Sequence, residues 1–132
     1  MFIFLSQDEL NQLCNKTPED TFITIDNSII GKKELISKIS QGINSPYIED
    51  NWDGLEESLI DLSWVSNGII KIIHRELPIL TDLDMIVYVS VLKTVTSSWE
   101  NIDKSVYIQD LKVYFSDSLK LYVENLLNTE II

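Results

Sequence analysis

Between Tyr47 and Trp64 the apolar residues fall at Trp52, Leu55, Leu59 and Leu62, spaced by three, four and three. That is the one-sided stripe of an amphipathic helix. The acids Asp53, Glu56, Glu57 and Asp61 fall largely on the other side. The spacing therefore predicts a helix over 52–62 that buries one stripe and holds a dense carboxylate face in solvent. Asp50 or Asn51 is placed to cap it, because a short side-chain oxygen accepts from the first free N–H groups. The positive end of the helix dipole then lies beside Asp53.

The same reading gives the remaining elements. Ser6 and Glu9 have capping-box spacing ahead of Leu10 and Leu13, which predicts a short helix near 7–15 closed by Pro18. Thr21-Phe22-Ile23-Thr24-Ile25 is β-branched and aromatic, hence a strand, with Asp26-Asn27 as its turn. From Lys32 the period turns helical, with Leu35, Ile36 and Ile39 on one face and Gly42 as the stop. After a turn at Ser66-Asn67-Gly68, the run 69–73 is apolar on both faces, the mark of a central strand. A long helix is predicted over 82–100, with Leu83, Ile86, Val87, Val91, Leu92, Val95 and Trp99 inward. Residues 111–115 alternate as a strand. Ser116 then caps a last amphipathic helix, about 117–128, carrying Leu119, Tyr122, Val123, Leu126 and Leu127. Helices between successive strands make parallel pairing the default. The expected architecture is an α/β domain with a three-stranded parallel sheet packed by helices. Residues 1–20 are expected to be an N-terminal extension and 21–132 the domain proper.

Composition narrows the partners. The chain has 132 residues, 45% of them hydrophobic, with three Trp, enough for one packed core. There are 21 acidic against 10 basic residues, a formal charge of -11, and no Lys or Arg between Lys38 and Lys71. Such a surface repels nucleic acid and anionic membranes, which are bound through Lys and Arg. It favours capture of a basic protein, with on-rates raised roughly 10- to 1000-fold where the field is focused. Cys14 stands alone, so no disulfide forms within the chain, and a reducing, cytoplasmic setting is expected. The apolar start, Met1 to Leu5, lacks a basic lead and is too short for a secretory signal. No window approaches the roughly 18 apolar residues of a membrane helix.

Catalytic patterns are sparse. His74 is the only histidine and ends an apolar strand, so a structural role is expected of it, with no metal. The four glycines form no phosphate-cradling loop. Glu49, Asn51 and Asp53 before Gly54 have the look of a calcium loop, but the twelfth position, which needs a bidentate Glu, is Ile60. Asp53 and Glu57 on one exposed face would both stay ionised, which is wrong for a general acid. A carboxylate-dependent hydrolase would need these acids in a deep pocket. Neither enzyme activity nor a cofactor is expected.

The segment Tyr47-Ile48-Glu49-Asp50-Asn51-Trp52-Asp53-Gly54-Leu55-Glu56-Glu57-Ser58-Leu59, with Asp61-Leu62-Ser63-Trp64 downstream, resembles the barstar family, the small intracellular inhibitors of extracellular ribonucleases such as barnase. The likeness centres on Asn51-Trp52-Asp53-Gly54-Leu55 and extends over about residues 21–116. It implies the family fold and a mode of action: the acidic helix and its preceding loop plug a ribonuclease active site, with carboxylates where substrate phosphates would sit. By position, Asp53 matches an interface Asp and Glu57 stands where the family's central acid lies. Tyr47, Glu49 and Asn51 fall in the contacting loop, and Glu56 and Asp61 supply flanking charge. The resemblance thus implies an immunity protein or antitoxin against a basic ribonuclease. The alternative is a binding module that keeps this fold for a non-nuclease partner.

Overall fold

The computed structural model describes residues 1–13, 19–47, 50–66 and 68–129. Cys14, Pro18, Glu49 and Asn67, each given a part above, lie outside the described residues. The chain runs β1 (Ile3–Leu5), α1 (Gln7–Leu13), β2 (Thr21–Ile25), α2 (Lys32–Gly42), α3 (Trp52–Asp61), β3 (Ile69–His74), α4 (Asp82–Glu100) and β4 (Asp110–Ser116). A 3-10 turn, Asp117–Leu119, leads into α5 (Lys120–Leu127).

The strands form one parallel sheet in the order β1-β4-β3-β2. It has four strands, where three were expected. Ile3, Phe4 and Leu5 pair with Tyr114, Phe115 and Ser116 and extend the sheet by one edge. Three residues are too few to show the two-residue alternation that marks a strand in sequence. The capping box after them forms: Ser6 N–H donates to Glu9 Oε1 at 3.0 Å and Glu9 N–H to Ser6 Oγ at 3.2 Å.

The pleat sends alternate residues to opposite faces. On one, Ile23, Ile25, Ile70, Ile72, Leu111, Val113 and Phe115 meet the buried stripes of α2, α3, α4 and α5. On the other, Ile73 and Tyr114 pack with Leu10 of α1, flanked by Ile3, Leu5 and Phe22. That second face also holds Lys71, whose Nζ lies 3.1 Å from Asp20 Oδ2. β3 is central, as its two-sided apolar run predicts.

Three local expectations change. Leu83 points outward at 61% exposure. The buried arc of α4 runs through Met85, Tyr88, Leu92, Val95 and Trp99, and Leu83 is nine residues, half a revolution, from Leu92. Gly42 is the last residue of α2, yet its role is close packing: a Cβ there would come 2.6 Å from Ile23 Cγ1. Ser116 makes no side-chain cap; its hydroxyl lies 3.0 Å from Ser118 Oγ, and α5 begins only at Lys120.

Candidate protein-binding face

Helix α3 owes its position to its two ends. At the start, Asn51 is extended and its side-chain oxygen accepts from Gly54 N–H at 2.7 Å, so Asn51 rather than Asp50 is the cap. Trp52 follows, half-buried, its indole N–H directed at Asp84 Oδ1 of α4 at 3.4 Å and its ring 5.8 Å from that of Tyr88. At the other end Leu62 takes a left-handed conformation, φ 49°, and its N–H closes on Ser58 O. A non-glycine residue there costs about 1–2 kcal/mol, offset by complete burial of the Leu62 side chain. The indole N–H of Trp99 donates to Leu59 O at 2.8 Å and satisfies one of the carbonyls a helix leaves open at its C-terminus. Leu55 and Leu59 are fully buried between these anchors. The helix is therefore fixed from beneath along its length.

Its outer face is acidic. Asp53, Glu57 and Asp61 are exposed and follow one another every four residues, with Glu56 half-buried beside them. Among the described residues the ion pairs are Lys71–Asp20, Lys104–Asp110 and the Met1 amino group with Glu100, and none involves α3. Lys32 Nζ lies over the Trp52 ring, 5.9 Å from its centre. Asp61 accepts from Ser63 Oγ at 3.1 Å, a local bond that leaves its charge in place.

The loop before the helix contributes Tyr47, 58% exposed and set edge-on to Trp64 at 6.0 Å. Trp64 is itself held by a bond from its indole N–H to Ile43 O at 2.8 Å. Tyr47, Glu57, Ser58 and Asp61 line a cleft of about 360 Å³. The structure thus brings Tyr47, Glu57 and Asp61 together and sets Asn51 and Asp53 one to two turns away on the same helix. Glu49 is outside the described residues.

Several contributors escaped the sequence reading. Tyr88, Asp84 and Met85 sit in the supporting layer, and their spacing alone gave no reason to pair α4 with Trp52. Tyr88 is fully buried, and its hydroxyl meets His74. A tyrosine in an apolar stripe reads as a surface residue unless its partner, here fourteen positions away, is known. Among the described residues no group of three or more His, Cys, Asp or Glu is arranged to hold a metal ion, and no helix is long and apolar enough to cross a membrane.

The face is anchored from beneath and anionic, with an aromatic at its rim. Its chemistry suits a complementary cationic cleft. A protein-family model described as Barstar (barnase inhibitor) matches residues 21–110. No curated protein and no solved structure matches the chain.

Proposed function

The chain belongs to the barstar family, and from that premise we propose that it is an immunity protein that blocks a basic secreted ribonuclease from within the producing cell. The observation that carries this reading is the row Asp53, Glu57 and Asp61, exposed on a helix anchored at both ends and without an ion pair to the chain's own described cations. A phosphodiester-cleaving site is built to hold anions. A carboxylate on a fixed helix arrives already oriented, so little ordering entropy is lost on docking. Glu57 and Asp53 take the phosphate positions and receive charge-assisted hydrogen bonds from the enzyme's cations. Glu56 and Asp61 add flanking charge. Tyr47, with Glu49 and Asn51 in the same loop, supplies the rim. The net charge of -11 steers the basic enzyme in.

Barnase, named in the family's description, is the first probe. A one-to-one mixture should abolish RNA cleavage, with an association rate that falls between 50 mM and 500 mM salt. Glu57→Ala should speed dissociation far more than Asp8→Ala, which alters an exposed acid on α1. Equal effects of the two changes, or an association rate indifferent to salt, would refute the assigned face. If barnase is not inhibited, the same assay applies to the product of any basic nuclease gene adjoining this one. Inhibition of neither refutes the function.

A further inference from the structure

His74 ends β3 on the helix-covered side of the sheet and is fully buried. Its ring stacks on Phe115 at 4.1 Å. Nδ1 lies 3.0 Å from Tyr114 O, and Nε2 lies 2.5 Å from the Tyr88 hydroxyl. A carbonyl only accepts, so Nδ1 carries the proton. In the neutral ring Nε2 is then a lone pair, and Tyr88 must donate to it. The hydroxyl keeps its proton, because burial pushes the Tyr88 phenol far above its ordinary range. The Tyr88 ring also lies 5.8 Å from that of Trp52, the first residue of α3, whose N–H reaches Asp84. A run of ring contacts, His74 to Tyr88 at 5.6 Å and Tyr88 to Trp52, therefore joins the end of β3 to the start of the acidic helix.

Protonation changes this arrangement. An added Nε2 proton reverses the bond, so that the Tyr88 oxygen accepts, its own hydroxyl proton loses His74 as partner, and a cation is left in the core. The groups facing the ring are the Tyr88 hydroxyl from α4, the Tyr114 carbonyl and Phe115 from β4, and Ile25, its register partner on β2. None is a carboxylate. Burial pushes the imidazole down to about 4. Trp52, half-buried, is the outermost of these rings.

We propose that Tyr88, locked by His74, is the positioning residue for the first turn of α3, and that proton uptake at His74 loosens this turn so that the acidic face is released in mild acid. Loss of a bound nuclease at low pH rests on the inhibitor reading given above; the loosening of α3 does not.

Native-state hydrogen exchange on the full chain from pH 7 to 4.5, corrected for the intrinsic pH dependence of exchange, tests it. Protection of the α3 amides should fall by about tenfold per pH unit below 6.5, the slope of a single linked proton. The amides of β3 and β4, which open only with the whole fold, should stay better protected than those of α3 at each pH, even as overall stability falls. His74→Gln, which cannot titrate, should abolish the step. Tyr88→Phe keeps the ring against Trp52 but removes the link, and should leave α3 exchange indifferent to pH. Equal protection of α3 and the strands throughout the titration, which would mean that α3 opens only with the whole fold, overturns the proposal, as does an α3 step that persists in either variant; if His74→Gln does not fold, Tyr88→Phe decides. In parallel, the barnase complex should dissociate at least tenfold faster at pH 5 than at pH 7. An exchange step with no complex at pH 7, either with barnase or with the adjoining nuclease, sinks the inhibitor reading and leaves the positioning role standing. A complex without an exchange step does the reverse.

Discussion

An anionic face kept clear for a partner should cost the free protein stability, and Glu57 is where that cost is greatest. It lies one helical turn from Asp53 on one side and from Asp61 on the other. Each like-charge pair at that spacing destabilises a helix by about 0.2–0.5 kcal/mol. Asp61 is also the last residue of α3, against the negative end of the helix dipole, which adds about 0.3–1 kcal/mol. The double change Glu57→Gln, Asp61→Asn removes both pairs and the dipole clash while keeping side-chain size and the acceptor for Ser63. The sum is roughly 0.7–2 kcal/mol of added stability. For a chain of this length that raises Tm by roughly 2–8 °C. Thermal unfolding followed by circular dichroism at 20 mM and 500 mM salt measures it. The gain should shrink at high salt, where charges a turn apart are screened. A lower Tm in the variant, or a gain that salt leaves untouched, would mean that Glu57 or Asp61 is engaged by the molecule itself. The freely presented anionic row, and the inhibitor reading with it, would then fail. A stabilised variant that no longer holds the nuclease would be the usual exchange of stability for function.

Trp99→Phe leaves Leu59 O without its indole donor in a buried setting, and should cost about 2–3 kcal/mol in urea unfolding; a loss under 0.5 kcal/mol would mean the indole does not cap α3. Gly31 and Gly68 both hold positive φ, 90° and 85°, but only at Gly68 would a Cβ run into backbone, the Glu19 carbonyl, whereas Gly31 opens on space. Gly31, with ψ 156°, still occupies a region open essentially to glycine alone, so Gly31→Ala should cost about 1–3 kcal/mol from strain without a clash. Gly68→Ala should cost about 1–3 kcal/mol more, and equal losses would refute the clash. The His74 imidazole is pushed from 6.5 down to about 4 by burial, so the unfolded chain binds a proton that the folded chain refuses. Stability from this group is complete above pH 6.5 and is lost as pH falls towards 4, by roughly 3 kcal/mol. Equilibrium unfolding at pH 7 and 4.5 checks the sign, and His74→Gln should flatten the difference.

Periodicity alone placed most of the elements. The stripes at 35, 36 and 39 and at 55, 59 and 62, the β-branched run 21–25 and the two-sided run 69–73 each survive in the fold, because each reports which face must leave water. The acidic face of α3 was equally legible, since charge spacing on a helix is a local property. β1 was not, because three residues carry no period and become a strand only when β4 offers an edge. Leu83 was misjudged because apolar identity says nothing of azimuth once a helix is covered on more than one side. The pairing of His74 with Tyr88, of Tyr88 with Trp52, and of Trp99 with Leu59 O joins residues from fourteen to forty positions apart. No local pattern encodes those meetings. Sequence decided that this protein has a negatively charged helix; only packing decided that the helix is held from beneath by Trp99 at Leu59 O and by Tyr88 beside Trp52, since hydrogen bonds and ring contacts depend on where distant segments come to rest.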